Sequence, residues 1–344
     1  MKRFVLWVFA LVLLAALGIF AWRLYDEREF ASTPFGEGKR TVTIAPGIRP
    51  HALARLLADA RVISDADRFY THLHWFRRGA HIKTGEYEFD GPLLPDEVLG
   101  KLIHGDIKLY HFTVPEGLRI DEIARIVGET GMCSADDFLK LARDPSVARK
   151  LGVSAKNLEG FLFPDTYSFP RSAGCPGVAQ VMVARFQKAW QHAQAQRLPS
   201  VKLDELQAVT LASIVEKETG QAEERPRIAC VFHNRLKKKM RLDTDPTVIY
   251  SVLLSNDFKW DGNLHKSDLR RPHPYNTYTM KGLPPGPIAN PGQAALDAAL
   301  HPADCGDLFF VSRNDHTHAF CPTLKCHEAN VRKYQVEHFR KKKG

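Results

Sequence analysis

The apolar positions of this chain fall into three patterns: an unbroken run, a repeated strand-and-helix alternation, and a helical stripe ending in acids. The unbroken run comes first. Residues 4–22 form a 19-residue stretch without a charge. As a helix at ~1.5 Å per residue it reaches about 28 Å, close to the ~30 Å hydrocarbon core of a bilayer. Lys2 and Arg3 precede it, while Arg23 and Arg28 follow, mixed with Asp26, Glu27 and Glu29. The unmixed positive flank predicts an N-terminus in the cytoplasm and a body outside it. A cleaved signal peptide is the rival reading. The run exceeds the ~7–15-residue apolar region of such signals, and only Ala16-Leu17-Gly18 resembles a small-residue site. The expectation is an uncleaved single-pass anchor over 1–23. Residues 24–40, polar and carrying Pro34, Gly36 and Gly38, predict a linker.

The second pattern occurs twice, at an offset of 70. Thr43-Ile44-Ala45-Pro46-Gly47-Ile48-Arg49 aligns with Thr113-Val114-Pro115-Glu116-Gly117-Leu118-Arg119, and Ser64 falls on Ser134. Each copy predicts a short strand, a glycine turn, an amphipathic helix and a serine-capped second helix. The apolar stripes are Leu53, Leu56 and Leu57 in one copy, and Ile123, Ile126 and Val127 in the other. Between the copies, 85–89 alternates as a strand with Tyr87 and Phe89 on one face, and 95–103 reads as a helix. Residues 41–108 thus have the layout and size of a LysM-like glycan-binding subdomain, with a ligand-free spacer as the bland alternative. Residues 109–172 hold the second copy and a connecting segment, and 173–340 the last domain. The fold class expected is α+β: a membrane anchor, a LysM-like α/β subdomain and a mixed helix/strand catalytic domain.

The third pattern is the helix expected over 203–219, stopped by Gly220. At 100° per residue, Leu211, Ile214 and Val215 lie within about 60° of Glu218. A carboxyl on such a stripe loses hydration, so its ionised form is disfavoured and it can donate a proton near neutrality. Glu216 points about 160° away on the same wheel. The bland alternative makes Glu218 a helix-end acid paired with Arg225 or Arg227. Asp245, before Pro246, suits a helix start and reads equally as a cap. Tyr275-Asn276-Thr277-Tyr278 offers stacking faces and amide groups, and the proline-rich loop 282–291 is rigid. A groove so lined suits a polysaccharide.

Composition narrows the field. Hydrophobic residues are 44% and charged residues 25%, which excludes a mainly disordered chain. The net charge of +9 favours an anionic partner, although Arg340 to Lys343 reads as a solubilising tail. No zinc finger, Walker loop or aromatic-interleaved basic stripe points to nucleic acid. Neither H-E-x-x-H nor G-x-S-x-G is present, and no second carboxylate clearly matches Glu218, with Asp243 and Asp245 the nearest candidates. Of six cysteines, Cys230 lies in an apolar run and reads as a buried thiol; two of Cys305, Cys321 and Cys326 could pair, and Cys133 could meet Cys175. His316, His318 and His327 among those cysteines leave a zinc reading open, without a C-x-x-C pair to support it.

Residues 211–219, Thr244-Asp245-Pro246-Thr247-Val248-Ile249-Tyr250, Tyr275 to Tyr278 and Gly282 to Ile288, together with Glu159-Gly160 and Phe163 to Tyr167, resemble the endolytic murein transglycosylase family (MltG, YceG-like). The likeness spans about 40–335. It implies that Glu218, the second acid of Glu216-Lys217-Glu218-Thr219, is catalytic, without metal or other cofactor. It also implies substrate contacts at Asp245, Thr247, Tyr275, Asn276, Thr277, Tyr278 and Pro287. The partners implied are peptidoglycan glycan strands, the cytoplasmic membrane and peptidoglycan synthases. One acid/base suffices for cleavage with 1,6-anhydro ring closure, in keeping with the missing second carboxylate. His318 and Phe320 match a His-x-Phe of the family, whereas Cys321 and Cys326 replace expected polar residues. The alternative is a non-catalytic wall-binding scaffold.

Overall fold

A computed structural model describes residues 2–76, 81–255 and 260–341, so part of the basic tail, 342–344, lies outside the described residues. The chain divides into two units: 1–110 with 169–172, and 111–168 with 173–344. Residues 109–172 are therefore shared between them, and most of the second repeat copy folds with the C-terminal half.

The first unit begins with helix α1, Lys2–Ser32. Among the described residues it is the helix long and apolar enough to cross a membrane, with its apolar window wholly uncovered by protein. It fits a single-pass membrane protein. The linker expected from residue 24 starts later, because α1 continues to Ser32. The cause is a docked end. Phe30 is buried in the core of this unit, and Arg68 pairs with Asp26 at 3.0 Å while lying over the Phe30 ring. His72 bonds Glu27 through one ring nitrogen and Asp96, at 2.8 Å, through the other. Charge mixing that reads as a linker is thus a helix face with partners.

Strand β1, Lys39–Ile44, pairs antiparallel with β2, Gly85–Asp90, setting Val42 opposite Tyr87. Helices α2, Pro50–Asp59, and α3, Ala66–Thr71, lie between them in sequence, and α4, Pro95–His104, follows. Leu53, Leu57, Phe69, Tyr87, Phe89, Val98 and Leu102 close one core. As expected, Tyr87 and Phe89 share its inner face. The serine cap expected for α3 is corrected: Asp65, not Ser64, accepts from the Arg68 backbone N–H, at 2.8 Å.

The second unit repeats the opening theme. Strand β3, Tyr110–Thr113, leads through Gly117 to α5, Ile120–Glu129, and α6, Ala135–Arg143. Here Ser134 does cap, accepting from Asp137 N–H at 3.1 Å. Helix α7, Pro145–Lys150, precedes β4, Thr166–Phe169, which pairs with β3. Then come α8, Gly174–Ala195, α9, Glu205–Glu218, α10, Arg225–Lys237, and α11, Asp245–Leu254. The short α12, Lys266–Arg270, and α13, Gln293–Leu300, follow. The hairpin β5, Phe309–Ser312, with β6, His318–Cys321, and helix α14, Leu324–Val331, complete the set used here. The mixture of helix and strand is the α+β class expected.

Helix α9 is the axis of this unit. Asp204 and Gln207 cap it reciprocally, at 2.8 and 3.0 Å. Every residue from Ala208 to Val215 is buried, because α10, α11 and α13 pack against it. The amphipathic stripe expected here is therefore corrected to a helix covered on all sides. Three disulfides pin the periphery: Cys133–Cys175, Cys230–Cys305 and Cys321–Cys326. The lone buried thiol expected at Cys230 is corrected, since α10 carries it to within bonding range of Cys305.

Candidate active site

Glu218 is the last residue of α9, and Thr219 turns the chain to extended backbone. The position is electrostatically adverse to a negative charge, since a helix C-terminus already presents unpaired carbonyls. Burial of the carboxyl pushes its pKa up to about 7, and nearby Asp245 adds to the rise. Two groups oppose it: the Thr244 hydroxyl, which donates to Glu218 Oε1, and the Arg235 guanidinium. The residue as a whole is half-buried, so this reluctant acid still reaches the surface.

Glu216, two residues earlier, shows why the same helix end yields two different acids. It lies on the other side of the helix, with a side chain only 5% exposed. Arg225 donates to its Oε1 at 2.7 Å, and Gly292 N–H donates to its Oε2 at 3.0 Å. Both oxygens are committed. The pairing with Arg225 or Arg227 considered for Glu218 goes elsewhere: Arg225 meets Glu216, and Arg227 meets Asp307 at 2.8 Å. Lys217 donates to the Gly117 carbonyl at 3.1 Å, tying the end of α9 to the second glycine turn.

A hydroxyl relay supports Thr244. Thr277 Oγ1 accepts from Thr244 N–H at 3.1 Å, and Thr247 Oγ1 lies 2.8 Å from Thr277 Oγ1. Asn276 donates to the carbonyls of Asp268 and Arg271, at 3.0 and 2.8 Å, and accepts from Tyr278 N–H at 2.9 Å. Thr247, Asn276 and Thr277 are 0% exposed. They hold the loop from within. The exposed member is Asp245, which accepts from the Tyr278 hydroxyl at 2.7 Å. Tyr275 and Tyr278 are half-buried, each with one side outward. Pro287 is buried against Gly160, where an added Cβ would come within 2.5 Å of the proline ring. Gly160 also has φ +88°, so only glycine suits this approach. Ser213 of α9 accepts from Ile288 N–H at 3.0 Å and fixes the proline-rich loop beside the helix.

Beside this loop lies a cavity of about 730 Å³, walled by Tyr275, Pro285, Pro287 and Leu254. A second, of about 460 Å³, lies around Glu159 and Tyr250 and shares Pro145, Lys156, Asn157 and Leu254 with the first. Glu218 lines neither, but the loop connects them: Tyr275 borders the larger cavity, and Tyr278 bonds the neighbour of Thr244.

Sequence reasoning did not single out Thr244, Arg235 or Glu159 as site residues. Thr244 was visible only as the neighbour of Asp245. Arg235 comes from α10, where it donates to the carbonyls of Leu242 and Leu308 at 2.6 and 2.7 Å. Glu159 accepts from Ile120 N–H, Asn290 and Tyr250, each at 3.1 Å, and burial pushes its pKa up to about 8. No sequence period marks a long-range knot of that kind. The zinc reading meets committed ligands: Cys321 and Cys326 are bonded to each other, and His318 Nδ1 lies 2.7 Å from Glu224. Among the described residues no group of His, Cys, Asp and Glu is placed to hold a metal.

Comparison with known proteins agrees with this architecture. The chain is 30% identical over 309 residues to a Bacillus subtilis protein named endolytic murein transglycosylase, covering 85% of this chain and 84% of that one. It is 26% identical to a Streptococcus pneumoniae protein of the same name, covering 88% of this chain but 59% of that longer protein. A crystal structure of a yceG-like protein from Listeria monocytogenes superposes with a TM-score of 0.58 at 31% identity, covering 85% of this chain and 98% of that one. The model of the YceG-like family matches residues 42–333, and with the fold and the relatives in agreement this chain belongs to that family.

Proposed function

We propose that this protein is an endolytic lytic transglycosylase that cuts peptidoglycan glycan strands between MurNAc and GlcNAc. The observation that carries this reading is Glu218: an acid held near neutrality at a helix end, supported by one hydroxyl, next to a loop with outward-facing tyrosines. Protonated, Glu218 gives its proton to the bridging oxygen as the bond from that oxygen to the MurNAc anomeric carbon breaks. The carboxylate so formed takes the proton of the MurNAc 6-hydroxyl, whose oxygen bonds to the anomeric carbon. The products are a free GlcNAc hydroxyl and a 1,6-anhydroMurNAc end. Water is not consumed, and Glu218 returns to its starting state.

Asp245, Tyr275 and Tyr278 are the residues assigned to direct substrate contact. Thr247, Asn276, Thr277 and Pro287 belong to the same site by holding those groups in place. The curated relatives' names, together with α1, support action on the wall from the membrane. The periplasmic placement of the catalytic unit, a LysM-like glycan-binding role for residues 41–108 and work beside peptidoglycan synthases on nascent strands belong to the same proposal.

The test is Glu218→Gln in the full-length protein, with glycan strands as substrate and anhydro-ended products counted by mass spectrometry. Loss of a general acid lowers the rate by about 10²–10⁴-fold. Equal product release by wild type and variant would falsify the mechanism and leave the scaffold reading.

A further inference from the structure

We infer that the paired cavities beside the tyrosine loop form a subsite for the acidic stem peptides of the glycan strand. The inference rests on the transglycosylase reading and extends it from the sugar chain to its substituents.

Among the described residues the larger cavity has no acidic residue in its lining, and it carries Arg149 and Lys156. The smaller one adds Arg143 and shares Lys156. All three cations are exposed. None of them forms an ion pair among the described residues, although many other basic side chains in this protein do. The two acids of the smaller cavity are already engaged. Asp121 is held by the Arg119 guanidinium at 2.9 Å, and Glu159 by its three donors. Asp144 lies close enough to Arg149 to feel its charge, and the remaining charge among the described lining residues is positive.

The cavity is also in the right place. Tyr275 borders it, and Tyr278, three residues on, bonds Asp245 next to Thr244, the partner of Glu218. The same loop therefore runs from the cavity wall to the neighbour of the hydroxyl that supports the acid. Along a peptidoglycan strand, the group that branches from the sugar chain and carries carboxylates is the peptide on MurNAc. Pro285 and Pro287 give the same cavity a rigid apolar wall against which its side chains can pack.

Affinity tests the inference, using full-length Glu218→Gln protein in detergent so that bound strands persist. Three uncrosslinked strands are compared: with intact stem peptides, with peptide carboxylates converted to amides, and with peptides removed. The double variant Arg149→Gln with Lys156→Gln, made on that background, is expected to bind intact strands about fivefold more weakly, as for two exposed charge contacts. Its affinity for the amidated and peptide-free strands stays that of the parent. Lys156→Glu, alone, gives the same selectivity with a larger loss. Equal affinity of variant and parent for intact strands overturns the subsite. So does an equal loss on all three strands, or competition by inorganic phosphate that is the same for all three. Shortening of strands by the Glu218→Gln protein in the same samples would count against the transglycosylase reading, separately from the affinity ratios.

Discussion

The two glycine turns of the repeat have the same backbone and opposite surroundings. Gly47 has φ +73° and Gly117 φ +76°, and each leads into a ten-residue helix whose cap is an arginine, Arg49 or Arg119. Around Gly47 an added Cβ would meet nothing within 4 Å. Around Gly117 the turn is built in. Its N–H donates to the Asn290 carbonyl at 2.9 Å, its carbonyl accepts from Lys217, and Glu116 faces Arg225 at 3.5 Å. The repeated segment supplies a shape, and the residues replaced within it decide whether that shape is a surface loop or a brace behind the acid. Where the first copy has Pro46, the second has Glu116. That one exchange provides a charge for the ion cluster around Arg225 and Glu216.

The strongest way to sharpen this contrast is to reduce the protein. All three disulfides lie in the second unit and none in the first. The two that close 42 and 75 residues are each expected to contribute about 4 kcal/mol. Reductant should therefore lower the unfolding midpoint of the second unit, seen by hydrogen exchange, and leave the first unchanged. Equal loss in both units would break the comparison.

Removing the brace comes next. Glu216→Ala leaves Arg225 buried with only the exposed Glu116 as counter-charge, an arrangement expected to cost about 3 kcal/mol in urea unfolding. A cost below about 1 kcal/mol would mean that the pair is dispensable.

Exchanging the two glycines separates shape from role. Gly47→Ala and Gly117→Ala each place a side chain in the left-handed region, costing about 1–2 kcal/mol by thermal melt. Only Gly117→Ala should also slow release of anhydro-ended products, because it displaces the carbonyl that holds Lys217. Equal activities would make the two turns equivalent.

A further effect is in the pH dependence. Glu218 is protonated in the folded chain up to about pH 7, while in the unfolded chain it ionises near its model value of 4.5. The unfolded state binds fewer protons in between, so stability falls as pH rises through that window and levels off above it. Glu218→Gln removes that slope and should raise the melting temperature above pH 7 by a few degrees. The separate contribution of Glu159, raised to about 8, persists in the variant. A wild-type and variant difference that does not change between pH 5 and 8 would show that Glu218 is not held protonated. Cleavage by the wild type should decline above about pH 7, as the required acid is lost.

Much of the fold was legible because it is local. The repeat offset of 70 places β3, α5 and α6 from β1, α2 and α3, and the two helices after the glycine turns begin at 50 and 120. Glu218 was legible from its motif more than from its helix. The wheel set it apart from Glu216 for a reason that does not hold, since α9 is covered all round over 208–215 and the Glu216 side chain is itself enclosed. What separates them is the partner each finds: Arg225, nine residues on from Glu216, and Thr244, twenty-six residues on from Glu218. No periodicity encodes such pairings. The same blindness applied to Glu159, whose partners are up to 131 residues away, and to Cys230, whose apolar neighbours concealed its bond to Cys305.

The continuation of α1 past its apolar stretch also sets how the first unit is tethered. Ten residues of helix beyond Trp22 form a post about 15 Å long, and its far end is fastened to the first unit by Phe30, Arg68 and His72. A flexible leash would let that unit sweep a hemisphere above the bilayer. A post confines it to a thin layer at one height, where encounters are governed by lateral diffusion.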